Sequence, residues 1–560
     1  MFDFTKAQQE AIDTLDRNVS VSAGAGSGKT RVLVERFVNI LRQNRGQNGK
    51  TVTAADILAI TFTRKAAGEM KERVRRRLAE LEQEDVLYAS FWRQQLEMLE
   101  QARINTIHGF CNSLLKENPV EAGLDPAFQV AEEVEMDEFL LRTVQQFVKQ
   151  GLRGGDSNIL RLADEYTAAD LVKQLLLAVP RLDEILDFGD LSHPYQESLA
   201  AQGILQEQLH YFLIELAEDR TKVKAAGHRQ KLEQLRENLP QLLEAAADSS
   251  RKENMALLER YVGSLAATSS DKAVVKAAKE VLQKLRLLAA DKAALELLPC
   301  WQQALTDCCA YLRQQQELNN MLGFDDLESR ALALLSNNDQ VCAKNSRRYQ
   351  YIMVDEFQDT NERQRQLVYL LCGGNKDELY GRKLFVVGDA KQSIYRFRGA
   401  DVSVFARVRR DIKATGGSNI VLDDNFRTVD KVLDLCNLAF AALLGEDREQ
   451  DVYFEALNAN RATDLLPEML AVAYDKDSKD SRREAEAAVI AQRILELHNS
   501  EAVAYEDMVI LLSALTTAKG FAAALQQAGI PYNIVDGKGF YERQEIIDLI
   551  NLLVFLEDSS

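Results

Sequence analysis

Two textures alternate along this chain. Short apolar runs, "VSVSA" (19–23), "ILAITF" (57–62), "YIMVDEF" (351–357), "KLFVVGD" (383–389) and "NIVLDDN" (419–425), are separated by stretches with apolar residues every three to four positions. Runs without polar alternation read as strands covered on both faces, and the intervening period reads as crossover helices. The pattern predicts an α/β fold with a parallel sheet, built from residues 1–120 and 347–460.

Between these blocks, over 121–346, glycine and proline become rare and β-branched runs vanish. The segment "DKAVVKAAKEVLQKLRLLAADKAALELL" (271–298) holds helical spacing throughout. This predicts an all-helical domain inserted into the α/β one. After residue 461 alternation returns. "EMLAVAY" (468–474), "DMVILL" (507–512) and "PYNIVDG" (531–537) read as strands, and 481–497 and 542–557 as helices. Residues 461–560 therefore read as the beginning of a second α/β domain.

A length of 560 residues is too great for one core, and roughly 100–200 residues per domain gives three or four. No apolar run approaches membrane-spanning length, and "MFDFTKAQQE" lacks the features of a signal peptide. The seven cysteines are scattered without a C-x-x-C pair, which predicts reduced thiols, no disulfide framework, no zinc site and a cytoplasmic protein. The net charge of −18 argues against a general nucleic-acid binder. A channel needs only a local basic lining, so the charge excludes little.

Chemistry enters with "VSAGAGSGKT" (21–30), where a strand runs into a glycine-rich loop and then a helix. Gly28, Lys29 and Thr30 fit a phosphate loop, with Ala23 where the pattern has its first glycine. Backbone N–H groups from Ala23, Gly24, Ala25, Gly26, Ser27 and Gly28 would cradle phosphate at the positive end of the helix. Lys29 would reach the β- and γ-phosphates, and Thr30 would ligate Mg²⁺. A bland Gly/Ser turn explains the loop alone, but not its strand and helix context. "VDEFQDTN" (354–361) supplies the acids: Asp355 for the Mg²⁺ shell, and Glu356 to polarise the attacking water. Gln358 and Asp359 follow in the same turn. Past the next strand, Gln392 is an uncharged amide suited to touch γ-phosphate. Arg427 in "NFRT" follows a strand, where a guanidinium can act as an arginine finger. A lone arginine there is usually solvated, so this assignment leans on the other three.

As an ordered set, "QQEA", "AGAGSGKT", "TFTRKAAGEM", "TIHGFC", "VDEFQDTN", "GDAKQSIYRFRGAD" and "NFRT" resemble the UvrD/Rep-type helicases of superfamily one. The resemblance covers about half the chain and implies RecA-like motor domains that use ATP and Mg²⁺. In that family alanine is usual at the position of Ala23. The resemblance implies that Gln8 reads the adenine edge, that Arg31 and Phe426 sandwich its ring, and that Gln392 and Arg427 sense γ-phosphate. It points to Thr61, Phe62, Thr63, His108, Tyr395, Phe397 and Arg398 as contacts to single-stranded DNA. Aromatic stacking would let an acidic protein hold DNA without sequence preference. Phe397 stands where many relatives carry Trp, and Arg64 where Asn is more usual. The basic run "KERVRRRL" (71–78) fits phosphate contacts and a solvated helix face equally well.

"TIHGFC", "LDPAFQVAEEVEMDEFL" and "FDDLESRALALL" look most like the RecB and AddA subunits of helicase–nucleases. That likeness implies a 3′-to-5′ translocase and helicase on single strands and duplex junctions, acting in repair or recombination beside a second subunit. Those proteins are longer, and further motifs, including a second arginine finger, are expected after residue 560. An idle-motor DNA scaffold is the alternative; intact Lys29, Asp355, Glu356 and Arg427 argue against it. A small-molecule phosphotransferase is disfavoured by the helical insertion and the aromatic "YRFRG" loop.

Overall fold

The computed structural model describes residues 4–45, 52–179, 192–218, 226–265, 272–445, 452–473, 479–535 and 544–557. The chain divides into two compact units. The first comprises Met1–Asp423 with Asp447–Tyr453, and the second Asp424–Glu446 with Phe454–Ser560.

The first unit is built on a six-stranded parallel sheet. Its strands are β1 (Val19–Ala23), β2 (Ile57–Thr61), β3 (Arg103–Thr106), β6 (Tyr351–Val354), β7 (Leu384–Gly388) and β8 (Ser418–Leu422). Their order is β3-β2-β6-β7-β1-β8. Residues alternate between faces along each strand, and both faces are covered. Leu58, Ile60, Ile352, Val354, Leu384 and Val386 join one core cluster. Ile57, Ala59, Val19, Val21, Met353, Phe385 and Val387 join the other. This two-sided burial explains why β1, β2, β6 and β7 read as continuous apolar runs; β8, at one edge, buries only Ile420 and Leu422 on a single face. β3 escaped that reading. It is an edge strand, "RINT", with only Ile104 buried.

Two further strands, β4 (Gln129–Val130) and β5 (Met321–Leu322), pair in parallel at the entry and exit of the helical segment. Between them the assigned elements are helices, ending in the 47-residue Lys272–Leu318 with Pro299 inside it. Two apolar clusters of their own hold these helices. The expected insertion ran to residue 346. Phe324–Asn337 and Asp339–Arg348 instead place Leu327, Ala331, Leu334, Leu335 and Val341 in the core beneath the sheet. Their helical period could not reveal which partner they bury against.

In the second unit, β9 (Asp424–Val429) pairs in parallel with β10 (Asn458–Arg461). Ala491 of Lys479–Glu501, Leu525 of Ala518–Gln527, and Ile530 form a small core. The division at Asp423/Asp424 sets 424–446 with the later segment, earlier than the expected boundary at 460/461. The expected strands 468–474, 507–512 and 531–537, of which 474, 536 and 537 lie outside the described residues, carry no ladder among the described residues. A strand needs a neighbour for its N–H and C=O groups, and apolar sequence alone does not supply one. No helix of the described residues is long and apolar enough to cross a membrane.

Candidate functional site

β1 is buried along its whole length and delivers Ala23 to the carboxyl edge of the sheet. The Ser27 N–H and hydroxyl both donate to the Gly24 carbonyl, at 3.3 and 2.7 Å, and close the loop. Gly28, with φ +83°, opens the helix Lys29–Gln43. A Cβ there would be strained by that conformation and would stand 3.1 Å from Gln8 Nε2. Gln8 sits against the loop from the helix Lys6–Asp13. Its Nε2 donates to the Ser27 carbonyl at 2.9 Å, and its Oε1 accepts from Thr5 N–H. Arg31 lies over the Phe4 ring, 4.1 Å from its centroid. Phe4 was not among the expected residues; one aromatic before the first helix gives no signal in the sequence. Ahead of the helix, its first N–H groups have no intrahelical acceptor, so the loop and helix end form an anion-binding cradle.

The acidic turn meets this loop. Asp355 N–H donates to the Ile60 carbonyl at 2.8 Å, and the Asp355 carboxylate accepts from Glu356 N–H at 2.9 Å. Glu356 takes a left-handed φ of +49°, a conformation that non-glycine residues hold only when their surroundings enforce it. Its Oε2 accepts from Lys29 Nζ at 3.1 Å and from Gln358 Nε2 at 2.9 Å. Gln358 Oε1 in turn accepts from Asp389 N–H at 2.9 Å. A Cβ on Gly388 would lie 2.6 Å from that oxygen, so a larger residue there would displace the Gln358 amide from this bond. Asp389 accepts from Gln392 Nε2 at 2.8 Å and pairs with Lys391 at 3.1 Å. Lys29, Glu356 and Gln392, far apart in sequence, thus converge past the ends of β1, β6 and β7, which are neighbours in the sheet. Ligand crevices in open α/β sheets lie at such carboxyl ends.

Burial, and then the charge of Glu356, push Asp355 up to about 6 against the pull of Lys29. The same two causes raise Asp359 to about 6. A carboxyl group raised in the fold favours folding below its ordinary value near 3.8 and loses that contribution as pH climbs to about 6. Asp359→Asn is therefore expected to raise the melting temperature at pH 7.5, by a few degrees at most, and to leave it unchanged at pH 4. Thermal unfolding at the two pH values checks this; equal effects at both would assign the change to packing.

The oxygen donors Thr30 and Asp355 suit a hard cation such as Mg²⁺, which keeps several waters and binds through few protein ligands. Among the described residues no group of three or more His, Cys, Asp or Glu could hold a metal by itself.

Beside the acidic turn runs a row of aromatic rings. Phe62 and Tyr395 stand 4.5 Å apart, and Tyr395 and Phe397 5.9 Å. Phe397 is 79% exposed. The side chain of Arg398 lies outside the described residues. Thr61 Oγ1 donates to the Thr63 carbonyl, and Thr63 caps the helix Arg64–Glu84. Two hydrogen bonds tie the aromatic loop to the acidic turn: Ser393 Oγ to the Gln358 carbonyl, and Asp401 N–H to that of Thr360. His108, on the helix Ile107–Glu117, donates from Nε2 to Glu328 at 2.9 Å. Glu328 is a buried carboxylate that the sequence reading passed over. In the basic run, Lys71 and Arg75 pair with Glu100, Arg73 with Glu69, and Arg77 with Glu35, Glu80 and Glu84. These pairs favour a solvated helix face. Phe426 and Arg427 lie in the second unit on β9, both exposed, with Arg427 N–H held by Asn425 Oδ1.

The model of the UvrD/REP helicase N-terminal domain matches residues 4–413. The chain belongs to the UvrD/REP helicase family. The UvrD-like helicase C-terminal domain matches 420–559, so the two family models change over close to the division between the two units. Among similar proteins is the AddA subunit of an ATP-dependent helicase/nuclease from Exiguobacterium sibiricum, 29% identical over 99% of this chain and 51% of its own length. The AddA subunits of Levilactobacillus brevis and Streptococcus mutans are 28% and 27% identical, over 50% and 49% of their lengths. The chain spans about half the length of these curated relatives. The sheet of the first unit and its doubly covered core are what the RecA-like fold of a UvrD/REP helicase requires.

Proposed function

We propose that this chain is the ATP-driven motor of a cytoplasmic helicase–nuclease subunit that moves 3′-to-5′ along single-stranded DNA and opens duplex junctions during repair or recombination. The observation carrying this reading is the Lys29–Glu356–Gln358 chain of contacts, which joins the phosphate cradle to the turn that anchors the aromatic row. ATP would enter where Lys29 now pairs with Glu356. Lys29 would turn to the β- and γ-phosphates, and the cradle from Ala23 to Gly28 would bind their oxygens. Thr30 and Asp355 would hold Mg²⁺, which offsets phosphate charge when bound. Glu356, released from Lys29, would take a proton from the attacking water. Gln392 and Arg427 would contact γ-phosphate, and Gln8, Arg31 and Phe426 the adenine. Loss of γ-phosphate contacts at Gln392 would reach Tyr395 and Phe397 through the shared loop. Thr61, Phe62, Thr63, His108 and Arg398 would complete the strand contacts, and a second subunit would complete the enzyme.

Unwinding tests the polarity: the full-length gene product should open a duplex with a 3′ single-stranded tail and leave a 5′-tailed one closed. The opposite preference would overturn it. Phe397→Ala should weaken single-strand affinity by about 1–3 kcal/mol, the size of one lost base stack. It should also uncouple ATP turnover from stepping. Unchanged affinity and stepping would assign Phe397 no role on the strand.

A further inference from the structure

We propose that Glu328 is a positioning residue that ties the strand-facing His108 to the exit of the acidic turn, so that strand binding and ATP turnover are coupled through one buried carboxylate. The proposal rests on the strand-motor reading above.

Glu328 sits on the helix Phe324–Asn337 and is 1% exposed. A buried carboxylate survives only with good partners, and this one has three, from two separate elements. Oε1 accepts from His108 Nε2 at 2.9 Å and from Gln364 Nε2 at 2.5 Å. Oε2 accepts from Asn361 Nδ2 at 2.9 Å. Burial alone would raise the Glu328 carboxyl; hydrogen bonds from His108, Asn361 and Gln364 outweigh it and hold it below the ordinary value.

Two of these donors, His108 and Asn361, have a second task. The His108 ring is one-third exposed and lies 5.0 Å from Phe324, with its Nε2 edge fixed by Glu328. Asn361 caps the helix Glu362–Leu371, its Oδ1 accepting from Gln364 N–H at 2.9 Å. An asparagine amide can satisfy both requirements in one orientation only: Nδ2 toward Glu328 and Oδ1 toward the helix. The negative oxygen selects that orientation. Asn361 directly follows Thr360, whose carbonyl holds Asp401 at the end of the aromatic loop. One carboxylate therefore fixes the ring edge on the strand side, the cap after the acidic turn and, through that cap, the residue anchoring the aromatic loop.

A neutral amide cannot do the same. Glu328→Gln keeps shape but offers one acceptor, and its NH₂ would face the NH₂ of Asn361. The asparagine must then give up either its cap or its link. Asn361→Ser separates the two roles, because serine is a good cap with no amide donor for Glu328.

The test is steady-state ATP turnover of the full-length gene product, titrated with single-stranded oligothymidine. For both Glu328→Gln and Asn361→Ser, maximum stimulation by DNA should fall by about 3- to 30-fold. KM for ATP should stay within about twofold, which a general loss of structure would not allow. Glu328→Gln combined with His108→Gln should lose clearly less than the product of the two single losses, because the two act as one link. Full stimulation in Asn361→Ser, or losses that multiply in the double variant, would overturn the proposal while leaving the motor reading standing. A wild-type protein that DNA does not stimulate would overturn the motor reading and this proposal with it.

Discussion

Lys29→Ala is expected to lower ATP turnover of the full-length gene product by at least about 100-fold, while single-stranded DNA affinity stays within about twofold. Lys29 is the only side chain on the loop side that reaches the acidic turn among the contacts described, at 3.1 Å from Glu356. Its loss removes the cation for the phosphates. It also removes the charge that pulls Asp355 and Asp359 down, so both carboxyls should move further above about 6. The strand contacts are assigned to the aromatic row of Phe62, Tyr395 and Phe397, whose rings pack on one another. Turnover measured beside strand binding separates the two effects. Hydrolysis near the wild-type rate would remove the loop from the active site.

Glu356→Gln should reduce turnover by about 10²- to 10⁴-fold, the usual contribution of a positioned general base. ATP affinity should hold or rise, since one negative charge beside the phosphate cradle is lost and Lys29 is freed from its ion pair. The amide keeps an oxygen for Gln358 Nε2, so the turn should retain its left-handed backbone. Equilibrium nucleotide binding and single-turnover hydrolysis read the two halves of this expectation. A variant that hydrolyses within tenfold of wild type would give the base to another group, with Asp359 next in line.

The parts of the site legible in sequence are those whose chemistry is local. A strand, a glycine-rich loop and a lysine at the helix start follow one another from Val19 to Lys29. The acids stand at the end of their own strand. Partnerships across long separations left no trace in the chain. Nothing in "FDDLESRALALL" marks Glu328 as the acceptor for His108, 220 positions earlier. Gln8 reads as a ligand contact from its motif, and the bond by which its Nε2 also braces the loop at the Ser27 carbonyl has no signal in the sequence. β3 was passed over because an edge strand needs one buried residue and no apolar run. The segments after residue 465 show the converse: Met469 and Leu511 sit in strand-like sequence yet are 93% and 91% exposed, without a ladder to hold them.

The central claim is that the phosphate cradle and the aromatic row belong to one motor. DNA-dependent ATP turnover by the wild-type full-length gene product tests it most directly, measured as phosphate release with and without saturating oligothymidine and with duplex of equal length as control. The account predicts turnover that rises at least about tenfold with the single strand and less with blunt duplex, because only unpaired bases can stack on Tyr395 and Phe397. Turnover indifferent to the single strand would contradict it.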